Sequence, residues 1–239
     1  VIGVDTLTKD NYWKIATINE GKLPLNSLDI KLNKYLEIAK IRKNLYATYD
    51  NYAYSLADII IIDINLDLKK KVGKLNQLRE YNVNLKFFKK AISDVLLNCK
   101  EDCLILIETT VPPGTCNQVV NPLINKIFSN RNFDPNKLNL AHSYERVMPG
   151  SNYIDSIVNF YRVYSGKNKK SADVAEKFLH TIINTSKFPL TRLSNTNSSE
   201  IAKVLENSYR AMNIAFIQEW TELADQAGVN LYEVISAIK

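Results

Sequence analysis

Short apolar runs alternate with longer stretches of helical period along most of this chain, and each switch of period marks an element. Val1-Ile2-Gly3-Val4-Asp5 reads as a buried strand ending in an acid. A helical stretch runs through Trp13 and Ile18 to Gly21, a plausible C-cap, and residues 28–39 continue with the same period. Residues 45–48 form a short strand, and Ile59-Ile60-Ile61-Ile62 has the unbroken apolarity of a parallel strand covered on both faces. Residues 69–82 are polar and read as a surface excursion. The next helix, 85–97, carries Phe88, Ile92, Val95 and Leu96 on one side; a buried strand follows at 104–107. Pro112-Pro113-Gly114 then turns the chain into a helix through Val119, Val120 and Ile124. Strand signals recur at 138–141, 161–164 and 188–193, with a helix near 172–183. Strand alternating with helix predicts an α/β fold built on a doubly wound parallel sheet.

From Asn195-Thr196-Asn197-Ser198-Ser199-Glu200 onward nothing reads as strand. Asn197 with Glu200 three residues later has capping-box spacing, which predicts the start of a long helix and a domain change near residue 196. On that helix Ile201, Val204, Leu205, Ser208, Met212, Ala215 and Phe216 recur at the intervals of one buried face. Lys203, Asn207 and Arg210 line a second face, which by itself reads as a solvated flank.

Composition narrows the class of protein. Of 239 residues, 46% are apolar, enough for one substantial core or one domain and part of another. No apolar run approaches the roughly 20 residues of a membrane span. Cys99, Cys103 and Cys116 are a sparse set without metal-ligand spacing, and His142 and His180 are the two histidines; this predicts no structural metal and a reducing, cytoplasmic setting. The net charge of +6 is spread along the chain as scattered lysines, so nucleic-acid binding is not expected.

Three motifs carry chemistry. They are Glu108-Thr109-Thr110-Val111-Pro112-Pro113-Gly114-Thr115, Ser143-Tyr144-Glu145-Arg146-Val147-Met148-Pro149-Gly150, and Lys203-Val204-Leu205-Glu206-Asn207-Ser208-Tyr209-Arg210 with Asn213-Ile214-Ala215 behind it. In this order they resemble the UDP-glucose/GDP-mannose dehydrogenase family of nucleotide-sugar 6-dehydrogenases, and the similarity extends over the whole chain. The resemblance implies that residues 1–195 are an NAD-binding Rossmann-like domain. It implies that residues 196–239 begin a central helical domain, dimerising through the helix at 197–227 where Met212, Phe216 and Trp220 share a stripe. It further implies a UDP-sugar substrate oxidised at C6 from alcohol to carboxylate by two hydride transfers to NAD, with no membrane partner.

Matched residue by residue, Lys203 and Asn207 would stabilise an oxyanion near C6 and bind substrate, and Glu145 would position the hydrolytic water. Thr110 would contact the cofactor and order that water. Asp5 would accept the ribose hydroxyls, favouring NAD over NADP. Arg146 would bind the substrate diphosphate or pair with an acid, and Glu108 would order the Pro-Pro-Gly turn. Departures from the family pattern fall at Tyr144, where a proline is usual, at Pro149, where some relatives carry a second acid, and at Asp63-Ile64-Asn65-Leu66-Asp67, where Val-Pro-Thr-Pro is usual. The seven glycines include no pair close enough for a G-x-G-x-x-G turn, so residues 1–5 match the second strand of such a fold and the first is expected to be missing. The family's Gly-Gly-x-Cys segment, which forms the thioester, also has no counterpart here. The chain thus reads as a piece of a longer enzyme, inactive by itself. Cys116, at a helix start, is a thiol a dipole could activate, but the family has threonine there and its nucleophile lies elsewhere, so no catalytic role is expected of it. The competing readings are a non-catalytic dimerising module and a different two-domain NAD dehydrogenase. Which sugar is used is not legible in these residues.

Overall fold

The computed structural model describes residues 1–72, 78–148 and 150–238. Two compact units divide them, residues 1–200 and 201–239. In the first, β1 (Ile2–Val4), α1 (Tyr12–Asn19), α2 (Ile30–Arg42), β2 (Tyr46–Thr48), α3 (Ala53–Leu56) and β3 (Ile59–Ile62) lead into β4 (Asp67–Val72) and β5 (Leu78–Asn84). Then come α4 (Lys86–Asn98), β6 (Leu104–Ile107), a π-helical turn (Cys116–Val120), α5 (Asn121–Asn130), β7 (Asn139–His142), α6 (Tyr153–Val158), β8 (Val163–Gly166), α7 (Lys169–Leu179) and β9 (Thr191–Arg192). α8 (Thr196–Ala227) starts in the first unit and continues into the second, where α9 (Leu231–Ala237) follows it.

The strands form a five-stranded sheet in the order β3-β6-β7-β8-β9 and a separate pair, β1-β2. β3, β6 and β7 are parallel in register, Ile59 opposite Leu104 and Leu104 opposite Asn139. β8 runs antiparallel to β7 and parallel to β9, so the doubly wound sheet expected from the sequence is parallel except at the β7-β8 pair. Hydrophobic patterning fixes which face a strand buries but not which way its neighbour runs. The β1-β2 pair is parallel and, among the described residues, pairs with no other strand. Residues 69–82 are not a plain excursion: β4 and β5 pair antiparallel, Lys69 opposite Asn82. Gly73 and Lys74 lie outside the described residues, as do Pro149 and Lys239.

Alternation along each strand sorts the core into two layers. Ile105 and Ile107 of β6 face α4 and α5, packing with Ile92, Leu96, Ile124 and Phe128. Leu104 and Leu106 face α7, packing with Tyr164, Ala172, Ala175 and Leu179. β6 is therefore covered on both faces. β3 is not: Ile60 and Ile62 are buried, but Ile59 and Ile61 are 37% and 44% exposed. They lie in register with Leu104 and Leu106, on the α7 side, while α7 packs chiefly on β7 and β8. Gly166 lets α7 approach β8 closely: a Cβ there would stand 2.3 Å from the Ala172 nitrogen.

Local signals set the helix ends. Asp29 caps α2 by accepting from the Lys31 amide at 2.9 Å, and its second oxygen accepts from the Ile154 amide at 2.9 Å, tying α2 to α6. Those amides, Ile154 first, hold the Asp29 carboxyl below its ordinary range. Gly21, with φ +76°, follows α1 in the left-handed conformation that ends a helix. α8 starts two residues earlier than the capping-box spacing implies. Asn195 is the cap, its side chain accepting from the Ser198 amide at 3.0 Å, and Asn197 sits inside the helix. Glu200 does not close a capping box, because its carboxylate is engaged elsewhere.

In the second unit α8 ends at Gly228, φ +68°, and Asn230 caps α9 by accepting from the Tyr232 amide at 3.0 Å. The stripe expected to be buried is exposed: Leu205 66%, Met212 66% and Phe216 59%. A second helix of seven residues is too short to cover a 32-residue partner, and Ala224 is the buried apolar residue of this unit among those described.

Candidate functional site

The carboxyl ends of β3, β6 and β7 lie side by side, and each is followed by an acid: Asp63, Glu108 and Glu145. In open α/β sheets this is the edge where ligands bind. The backbone beyond the strands is pinned before any of these side chains acts. Glu108 and Thr109 both donate their amides to the Ile62 carbonyl, at 2.9 and 3.1 Å. The buried Thr109 hydroxyl accepts from the Ile64 amide at 2.8 Å and donates to the Ile62 carbonyl at 3.2 Å, locking the end of β3 to the end of β6. Ser143 is fully buried; its amide reaches the Ile107 carbonyl and its hydroxyl the Val163 carbonyl, both at 3.0 Å. Ser156 receives the Met148 amide at 3.0 Å, so the loop from Ser143 to Met148 is held at both ends. Glu145 accepts from the Val147 amide inside that loop.

Burial and mutual repulsion give these acids unusual chemistry. Glu108 is pushed up to about 7, chiefly by burial; Arg162 opposes the shift, and Asp63 and Glu145 add to it. Its carboxylate stands 3.4 Å from the Arg162 guanidinium, and the two side chains are 13% and 6% exposed. Asp63 is raised by burial and then by Glu145, and the Tyr153 phenol is raised by burial, Glu145 and Asp63. Four titratable groups from four segments thus sense one another at the sheet edge, with Arg162 against Glu108.

The predicted residues distribute as follows. Thr110 is exposed at the end of β6, just before the buried Val111. Asp5 ends β1, where its amide continues the ladder to the Thr48 carbonyl at 3.1 Å; its Oδ1 accepts from Thr6 and Asn11. Tyr144 is buried without disrupting the loop. Arg146 stacks over the Tyr144 and Phe160 rings, at 5.5 and 5.0 Å, and donates to the Tyr161 carbonyl at 3.1 Å, which makes it a brace of the loop. Lys203, half-buried, and the exposed Asn207 lie four residues apart on α8 in the second unit, and Arg210 pairs with Glu206 at 3.8 Å.

One expectation is overturned. Glu108 does not order the Pro-Pro-Gly turn, since it faces Arg162; the amides of that turn go to Glu200. Cys116 is no activated thiol. It is fully buried, and burial, followed by the adjacent Glu200 carboxylate, pushes it well above its ordinary range. Asp63, Thr109, Arg162 and Glu200 belong to the site although their place in the sequence does not announce it. Arg162 had one signal, a charge opening an apolar strand. Among the described residues no cluster of histidine, cysteine or acid side chains has the arrangement of a metal site, and no helix is long and apolar enough to cross a membrane.

The fold and this strand-edge site define a Rossmann-like α/β domain running into a long helix. The chain belongs to the UDP-glucose/GDP-mannose dehydrogenase family: residues 1–183 match that family's NAD binding domain, and residues 197–239 its central domain. It is 33% identical over 156 residues to a UDP-N-acetyl-D-mannosamine dehydrogenase of Methanocaldococcus jannaschii, covering 65% of this chain and 33% of that protein. It is 30% identical over 228 residues to a UDP-glucose 6-dehydrogenase of Rickettsia prowazekii, covering 94% of this chain and 47% of that protein. Its fold superposes on a GDP-mannose dehydrogenase from Pseudomonas aeruginosa with a TM-score of 0.78 at 23% identity, covering all of this chain and 50% of that one. The chain spans a third to a half of the curated relatives it matches.

Proposed function

We propose that the protein containing this chain is a cytoplasmic, NAD-dependent nucleotide-sugar 6-dehydrogenase that takes a UDP-sugar alcohol to a carboxylate. The observation that carries the reading is Glu145, held by a doubly pinned loop at the carboxyl edge of the sheet and electrostatically coupled to Asp63. The residues present suit the ribose end of a dinucleotide: Asp5 engages neighbours through Oδ1, leaving Oδ2 for ribose hydroxyls. Thr110 is exposed at the next strand end that the cofactor would reach. Bound NAD would supply the hydride acceptor.

The chain's own residues then divide the chemistry. Lys203 and Asn207 donate to the oxygen at C6 as negative charge develops, where positioned donors act most strongly. Glu145, with Thr110, orients the water that releases the carboxylate. Arg146 stiffens the Glu145 loop through Tyr144, Phe160 and Tyr161. The nucleophile for the second oxidation is none of Cys99, Cys103 and Cys116, all of which are buried. The exposed stripe of Met212, Phe216 and Trp220 supports a homodimer through the helix at 197–227.

The test is NADH formation by the full-length protein with UDP-glucose, UDP-N-acetylglucosamine and UDP-N-acetylmannosamine. Two NADH per sugar with one of them is the expected result. No turnover with any of them, with NAD binding absent by calorimetry, refutes the reading.

A further inference from the structure

We propose that Glu200 is a positioning residue for this reaction, holding the turn that follows Thr110. Few donors are available in Val111-Pro112-Pro113-Gly114-Thr115-Cys116. The two prolines supply no N–H. Thr115 spends its amide inside the turn, on the Pro112 carbonyl at 3.1 Å, and its hydroxyl on the same oxygen at 2.6 Å. Beyond the prolines the remaining amides are those of Gly114 and Cys116, and both go to one carboxylate: Gly114 to Glu200 Oε2 at 2.6 Å, Cys116 to Oε1 at 2.9 Å. Gly114 itself has φ +92°, which glycine adopts freely, so the turn's shape rests on its hydrogen bonds.

Glu200 suits that role. It is fully buried. Its side chain accepts from backbone N–H groups where the helical run of residues 116–130 begins, the end where a helix favours an acceptor. Neighbouring contacts fasten the same junction. The Asn117 side-chain amide donates to Asn197 at 3.1 Å, and buried Ser199 joins His142 Nδ1 and Ser165, each at 2.7 Å. The first turn of α8 is thereby fixed to the segment that begins at Thr110. In the sequence, Lys203 and Asn207 follow Glu200 on that same helix. The capping-box spacing of Asn197 and Glu200 is thus incidental, and the acid serves the Pro-Pro-Gly turn 86 residues away.

This inference rests on the dehydrogenase reading for its kinetic arm only. Glu200→Gln keeps the side chain's shape but offers one acceptor oxygen to two amides, and Glu200→Asp keeps both oxygens on a shorter stem. In the full-length Gln variant, hydrogen exchange at the Gly114 and Cys116 amides should speed up about tenfold, the loss of one charge-assisted bond. kcat should fall by a similar factor, roughly tenfold, with the KM for the UDP-sugar little changed, because Thr110 is displaced while the substrate contacts remain. Glu200→Asp should recover part of both. A merely structural role would lower Tm and leave kcat alone. Unaltered exchange at those amides overturns the anchor, and accelerated exchange with wild-type kcat overturns the positioning role. If the wild-type protein shows no turnover, the dehydrogenase reading and with it the catalytic purpose fall, while exchange still decides whether Glu200 holds the turn.

Discussion

Glu108 makes the stability of this protein depend on pH in a direction opposite to that of most paired acids. Its folded-state pKa of about 7 stands above the ordinary 4.5, because burial and the repulsion of Asp63 and Glu145 outweigh Arg162. At about 1.4 kcal/mol per unit, the gap corresponds to about 3 kcal/mol. The sign follows from proton counts. Below pH 4.5 the carboxyl is protonated in folded and unfolded chains alike and contributes nothing. Between about 4.5 and 7 the unfolded chain has released the proton and the folded one retains it, so stability falls as pH rises. Above 7 both are ionised and the loss is complete. Glu108→Gln removes the titration but keeps the volume. Any cost of weakening the contact with Arg162 enters as a constant offset and leaves the slope untouched. Urea unfolding of wild type and variant, followed by far-UV circular dichroism from pH 5 to 8, isolates the effect. The variant should gain on wild type by up to about 3 kcal/mol across that range. A difference that stays flat means Glu108 is ionised throughout as half of an ordinary buried ion pair, and the account of the site's electrostatics fails.

Two further outcomes test the packing. Gly166→Ala places a Cβ 2.3 Å from the Ala172 nitrogen and 2.9 Å from its Cα, so α7 must leave β8; a cost of at least about 3 kcal/mol and a Tm lower by roughly 10 °C are expected by thermal melting. Gly3→Ala, whose nearest contact is 3.9 Å, serves as the silent control. Met212→Asp, placed in the exposed stripe of α8, should turn the full-length protein from dimer to monomer in light scattering, and a wild-type protein that is already monomeric at micromolar concentration rejects the interface.

How much of this was legible in the sequence depends on whether the deciding forces were local. β6 and β7 were readable because four consecutive residues are buried in each. α4 was readable because Phe88, Ile92, Val95 and Leu96 repeat at helical spacing and all four are buried. β3 was over-read: the same apolar run is buried at Ile60 and Ile62 but not at Ile59 and Ile61, since a run shows what could be covered and not what covers it. The direction of β8 and the pairing of β4 with β5 were invisible because strand pairing is chosen by the partner. α6 was missed for its six residues, too few to show a period.

The site divides along the same line, and its misreadings share a cause. Glu145 was found through a motif contiguous in sequence. Glu108 and Glu200 were also seen, but each was matched to its nearest plausible partner, Glu108 to the turn four residues on and Glu200 to the helix cap three residues back. Both assignments fail for one reason. A turn with two prolines and a left-handed glycine has few donors, and they point away from the strand that leads into it. The acid that meets them must come from another element, which Glu200 does. Freed from the turn, Glu108 meets Arg162, an ion pair between residues 54 positions apart whose purpose is clear only when β6 and β8 flank the sheet edge. The net charge of +6 concealed this, because scattered lysines say nothing about a local concentration of carboxylates. At that edge Asp63 and Glu145 repel the Glu108 carboxylate against the pull of Arg162. A proton on Glu108 removes one of those charges below about pH 7, and so the residue that lowers stability as pH rises is also the one that sets how much negative charge the site presents.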